Sequence, residues 1–126
     1  MPQVIVDFGN SVMHIPAPKA MLKFVVVLYR KPEMSREQFR AYLQDVHGPM
    51  ADRIPGVCAY VQNHAVTDST RTDPGWDAIV ELWWESRNAM EEAWRSPEGQ
   101  IATADLEAFA DLSRTRWSIV DEQRRR

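Results

Sequence analysis

Among the side chains able to move a proton near neutral pH, His47 stands out because its neighbours at helical spacing, Phe39, Leu43 and Met50, are apolar. An imidazole on such a face can serve as general base or general acid. The same spacing also suits a core histidine that bonds a neighbour and holds the break at Gly48 and Pro49. His64 is the second candidate, on the same side of an alternating run as Tyr60, with a surface position at a strand end as the competing reading. Asp77, Ile79, Glu81 and Trp83 share one side of a further run, and Asp105 falls at apolar spacing on a helix. A carboxylate in such surroundings needs a partner or a task. Asp77 is expected to orient a histidine or to bond a hydroxyl or enol of a substrate. Asp105 either works in the same site or caps a backbone group or meets Arg116. Histidine, carboxylate and phenol together suit proton abstraction beside a carbonyl, followed by ring closure or loss of water, with no cofactor. His47, Asp77 and His64 are therefore the candidate catalytic groups, and Tyr60, Glu81, Trp83, Asp105 and Phe39 the candidate substrate-binding ones.

The elements that must hold these groups are readable from local signals. Residues 22–29, LKFVVVLY, are apolar in both alternation phases and read as a strand buried on both faces. Ser35 with Gln38 three residues later has the form of a capping box, opening the helix that carries His47, with Pro49 kinking its end. Residues 57–64 read as a strand whose Cys58, Tyr60, Gln62 and His64 share one side, the other side being apolar. After a loop over residues 67–75 comes a third strand, residues 77–84. Ser86 can cap a helix, and Ser96 followed by Pro97 a second one carrying Asp105. A last strand spans residues 114–120. Residues 1–20 mix a strand-like run, Val4 to Phe8, with Gly9, Asn10, Pro16 and Pro18, and read as an N-terminal extension lying across the surface of a domain over residues 21–126.

Length and charge limit the alternatives. A chain of 126 residues supplies one core, and a net charge of -3 offers no field for nucleic acid, the arginine run at residues 124–126 being a solvated tail. No apolar run reaches the roughly 18 residues of a membrane helix, and residues 1–10 lack the pattern of a secretory signal, so a cytoplasmic location is expected. Cys58 is the only cysteine, which leaves no internal disulfide and no cysteine-based zinc site. The phosphate-loop, dinucleotide, nucleophile-elbow and zincin motifs are all missing. No metal or other cofactor is called for.

Strand, helix, strand, strand, helix, strand is the order of a ferredoxin-like α+β fold, with helices on one face of a four-stranded antiparallel sheet. The other face then needs a cover. The row Ala78, Val80, Leu82 and Trp84 is expected to contribute to it, and face-to-face pairing of two sheets in a homodimer is the simplest remedy, the N-terminal extension being the other. Several of the tryptophans, Trp76, Trp83, Trp84 and Trp94, cluster near the third strand; most belong to the core and one or two to a pocket for a flat ring.

The string FRAYLQDVHGPMADRIPGVCAYVQNHAV, residues 39–66, resembles the EthD family of dimeric α+β barrel proteins. It carries His-Gly-Pro after a helix with an aromatic-x-x-x-aromatic-like pattern, then Pro-Gly and Tyr-x-Gln-Asn. WDAIVELWWES and SPEGQIATADLEAFAD resemble that family's third strand and its helix with an inward Asp near a Phe, so the likeness covers residues 22–120. Ala78 stands where the family commonly has Gly. The resemblance implies a homodimer, a site around His47, and a function within a broad set of polyketide cyclases, dehydratases, isomerases and cofactor-free monooxygenases. It also leaves open a non-catalytic, ligand-binding or accessory role. Fold does not choose among these. The reading taken forward is a cofactor-independent cyclase, dehydratase or isomerase acting on a small aromatic or polyketide-type molecule.

Overall fold

The computed structural model describes residues 21–126 in full and, of residues 1–20, the backbone of two strands, β1 (Gln3–Phe8) and β2 (Ser11–Pro16), which pair antiparallel. How residues 1–20 sit against the domain lies outside the described residues. The main sheet is formed by β3 (Leu22–Leu28), β4 (Ala59–His64), β5 (Ala78–Trp84) and β6 (Arg116–Val120), all antiparallel in the order β4-β5-β3-β6. Helices α1 (Arg36–Tyr42), α2 (Gly48–Ala51), α3 (Arg87–Arg95) and α4 (Pro97–Asp105) complete an α+β, ferredoxin-like unit. No described helix is long and apolar enough to cross a membrane.

Helices α1, α3 and α4 each start where the sequence offers an oxygen to their unpaired backbone N–H groups. Ser35 and Gln38 form the reciprocal capping box, and the Oγ atoms of Ser86 and Ser96 accept from the N–H groups of Ala89 and Gly99 at 3.1 and 3.0 Å. Between α1 and α2 the chain does not simply kink. Residues 43–47 form a π-helical turn, closed by the N–H of Gly48 donating to the carbonyl of Leu43 five residues back. Proline 49 supplies the reason. Its ring cannot tolerate a regular turn against the carbonyl four residues earlier, and it has no N–H to close one.

The cross-strand register places Phe24, Leu82, Tyr60 and Ile119 in one layer, and Val26, Val80, Gln62 and Trp117 in the next, all on the helix-covered face. Val80 and Leu82 are therefore buried within the domain and do not belong to the open face, contrary to the expectation from sequence. Of the two β5 rows, Ala78-Val80-Leu82-Trp84 is the more apolar, and it goes to the helices. On β4 the outcome is reversed. Tyr60, Gln62 and His64 point to the helices, and Ala59, Val61 and Asn63 to the open side. That open face carries Val25, Val27 and Ile79 beside an ionic cluster in which Lys23 pairs with Glu81 at 2.5 Å and with Glu122 at 2.9 Å.

The α3–α4 corner is packed backbone against backbone. A Cβ on Gly99 would stand 2.0 Å from the carbonyl oxygen of Ala93. In an ordinary helix interior, Gly→Ala gains up to about 1 kcal/mol. Here Gly99→Ala should instead destabilise by about 2 kcal/mol or more, the scale of forced overpacking, as read from denaturant unfolding.

Candidate functional site

His47 ends the π turn and is 7% exposed. Its Nδ1 lies 3.0 Å from Oδ2 of Asp105, at the end of α4, and Tyr42 donates its hydroxyl to the other carboxylate oxygen at 2.7 Å. A carboxylate at a helix C-terminus is disfavoured by the helix dipole, so these two donors are what hold it there. The bond to Asp105 raises the Tyr42 phenol above its ordinary value, because ionising it would set two negative charges together. Phe109, fully buried, lies under the group, with ring centroids 5.0 Å from both His47 and Tyr42 and 5.4 Å from Phe39. With Nδ1–H given to Asp105, the imidazole keeps its lone pair on Nε2, the form needed in a general base.

His47 is also part of the wall of a cavity of about 700 Å³ between the sheet and the helices. Val26, Leu28, Val80 and Leu82 line it from the sheet, with Met90 and Trp94 from α3 and Trp117 from β6. Trp117 stacks on Phe24 at 5.2 Å. This size accommodates a molecule of two or three rings. Polar groups in the wall are few: His47 and Tyr60, with Arg87, Glu91, Gln100, Thr103 and Thr115. Asp105 itself lines a separate outer groove with Lys31, Met50 and Glu107.

The inward row of β4 forms a hydrogen-bonded chain. Gln62 Nε2 donates to Tyr60 Oη at 2.7 Å and to the Leu43 carbonyl at 3.0 Å, and Gln62 Oε1 lies 3.1 Å from His64 Nε2. Burial raises the Tyr60 phenol, outweighing its bond from Gln62. Burial first, and the nearby Arg40 second, lower the proton affinity of His64 below the ordinary histidine value. Its Nδ1 is buried without a partner.

Several residues expected in the site are elsewhere. Asp77 accepts from the backbone N–H of Arg30 at 2.8 Å and faces the Arg30 guanidinium at 3.5 Å, tying the ends of β3 and β5 together; it does not reach His47 or line the cavity. Glu81 and Trp83 lie on the open face, where Lys23 bonds Glu81 and sits 5.0 Å over the Trp83 ring; Lys23 and then Asn63 hold the Glu81 carboxyl below its usual range. Phe39 packs against Phe109 in the aromatic cluster and is absent from the cavity wall. Asp105 is the partner that Asp77 was expected to be. Its other suggested partner, Arg116, bonds the carbonyls of Ser113 and Thr115 instead. Tyr42 and Gln62 were not singled out from sequence. The signals were present: Tyr42 precedes His47 by one widened turn, and Gln62 sits between two polar residues at strand spacing.

The model of the EthD domain matches residues 31–113. No curated protein matches the sequence. Among solved structures, an EthD-family protein of Bacillus halodurans is 22% identical, covering 82% of this chain and 100% of its own, with a TM-score of 0.69. The hydroxynitrile lyase of Passiflora edulis is 14% identical, covering 84% and 98%, with a TM-score of 0.62. SnoaB of Streptomyces nogalater, described as a cofactor-independent oxygenase, is 13% identical, covering 82% and 94%, with a TM-score of 0.57. At these identities the likeness is one of fold.

The environment of His64 has a measurable consequence. A histidine whose proton affinity is lowered by folding binds fewer protons in the native than in the unfolded state, so stability falls as pH drops below the unfolded value of about 6.5. Melting followed between pH 7 and pH 5 should show this decline, and His64→Gln should flatten it. A slope unchanged by His64→Gln would show that the ring titrates as if in water.

Proposed function

The chain belongs to the EthD family, and from that footing we propose that it catalyses proton abstraction beside the carbonyl of a small, largely apolar ring compound, leading to cyclisation, dehydration or isomerisation. The observation that carries this reading is the His47–Asp105 pair, 3.0 Å apart, with the imidazole set in the wall of an apolar cavity. In that pair Asp105 fixes the tautomer and stabilises the imidazolium, and His47 Nε2 takes the proton. The aromatic wall, Phe24 with Trp94 and Trp117, favours a flat aromatic or polyketide-type substrate. Removal of a proton without a cofactor is also a first step open to an oxygenase or a lyase, the activities by which two fold neighbours are named.

A suitable probe is 2-tetralone, a bicyclic aromatic ketone with acidic hydrogens beside its carbonyl. Deuterium incorporation at those carbons in heavy water, followed by NMR with a chelator present, should be accelerated by the protein. His47→Ala should cut the acceleration by about 10²-fold or more, the scale of general acid-base catalysis, while the fold persists. Asp105→Asn should reduce it as well. Undiminished exchange in folded His47→Ala protein would return His47 to a structural role and favour a ligand-binding protein.

We also propose a homodimer formed through the open sheet face, where Val25, Val27, Ile79 and Val61 make an apolar surface that water would otherwise cover. Light scattering should give twice the chain mass, and Val27→Glu should shift it to the monomer. A monomeric native protein at micromolar concentration would overturn this.

A further inference from the structure

We propose that Tyr60 donates a hydrogen bond to the carbonyl oxygen of the substrate, and that Gln62 is the positioning residue that aims it. The proposal rests on the proton-transfer reading for its chemistry and on the β4 hydrogen bonds for its geometry.

The direction of each bond follows from what the groups can do. The carbonyl of Leu43 only accepts, so the Gln62 atom 3.0 Å away is the amide nitrogen. That leaves Oε1 facing His64 Nε2, and since Oε1 also only accepts, His64 carries its hydrogen on Nε2. The second N–H of the same amide goes to Tyr60 Oη at 2.7 Å. The phenol oxygen is therefore an acceptor on its Gln62 side, and its own hydrogen must point away from the amide. No described protein group accepts that hydrogen, and Tyr60 is part of the cavity wall that also contains His47.

Two contacts keep the amide from turning over. Leu43 holds one side and His64 the other. Gly48 packs close beside the amide: a Cβ there would stand 3.1 Å from Gln62 Nε2 and 3.2 Å from the Leu43 oxygen, so a side chain at this position would push the amide or the carbonyl by a few tenths of an ångström. Burial keeps Tyr60 in its protonated, donating form at neutral pH. The base thus enters the cavity from the helical layer and the donor from the sheet. When His47 Nε2 takes a hydrogen beside the carbonyl as a proton, the C–H electron pair becomes the new C=C bond and the carbonyl π pair moves onto oxygen. Tyr60 O–H meets the charge that develops there.

The test reads the donor directly. With 2-tetralone labelled with ¹³C at its carbonyl and bound to the protein, the infrared carbonyl stretch should lie lower in the native protein than in Tyr60→Phe. Gln62→Leu keeps the side-chain volume and leaves Leu43 bonded to Gly48. It should return the stretch towards the Tyr60→Phe value although Tyr60 is still present, and NMR of ring-labelled tyrosine should show the Tyr60 phenol titrating higher than in the native protein. Tyr60→Phe should lower 2-tetralone exchange by about 10²-fold, the usual loss on deleting one such donor. A stretch identical in native and Tyr60→Phe protein overturns the donor role. A stretch and phenol titration unaltered by Gln62→Leu overturns the positioning role. The two readings separate cleanly: a Tyr60-dependent stretch without exchange sinks proton transfer and leaves the donor assignment, whereas His47-dependent exchange with a stretch indifferent to Tyr60 does the reverse.

Discussion

Proline 49 cannot give a hydrogen bond, and the turn before it opens to compensate. The rest of the site depends on that opening. The widened turn brings Gly48 rather than a side-chain-bearing residue against Gln62, and Leu43 offers its carbonyl both to the Gly48 N–H and to the Gln62 amide. It also ends on His47, whose Nδ1 meets Asp105 at the end of a different helix. One local backbone adjustment therefore couples three elements, α1–α2, α4 and β4, at the wall of a single cavity. π-helical turns recur at functional sites because they re-aim side chains that a regular helix would keep on its own repeat.

The electrostatic arrangement follows the same economy. Charge is kept at the edges: Asp77 with Arg30 at one end of the sheet, and Glu81 with Lys23 on the open face. Inside, only groups that can remain neutral or are directly paired are admitted. His64 is held uncharged by burial, Tyr60 is held protonated by burial, and the Asp105 carboxylate takes hydrogen bonds from two partners. An apolar cavity with few polar groups favours reactions whose charge develops at a defined spot, where fixed donors can meet it.

Much of the fold could be read from the chain because its signals are local. The serine caps at residues 35, 86 and 96 and the proline at residue 97 act within one turn of themselves. The β-branched run of β3 needs no context to be recognised as a buried strand. What failed was the assignment of faces on β5. Rows on β4 and β5 were separated correctly by alternation, but which row faces the helices is decided by neighbours in the sheet, and strand polarity alone misleads where a polar row is buried as a site. The same limit explains Asp77 and Asp105. Both are carboxylates at apolar spacing, and only the three-dimensional placement of Arg30 beside one and His47 beside the other tells them apart.

The inward row of β4 also determines where the chain tolerates a change of length. Strand alternation has period two, so adding or removing one residue between α2 and β4 would exchange Tyr60, Gln62 and His64 for Ala59, Val61 and Asn63 against the helices. The fold could accommodate much of that exchange, since Ala59 and Val61 suit the interior, but the hydrogen-bonded chain would vanish at one stroke. The stretch between β4 and β5 is under no such restriction, because both of its ends are fixed by the sheet and its middle, residues 67–73, is exposed. Insertions and deletions should therefore be lethal to the chemistry on one side of a single six-residue strand and silent on the other.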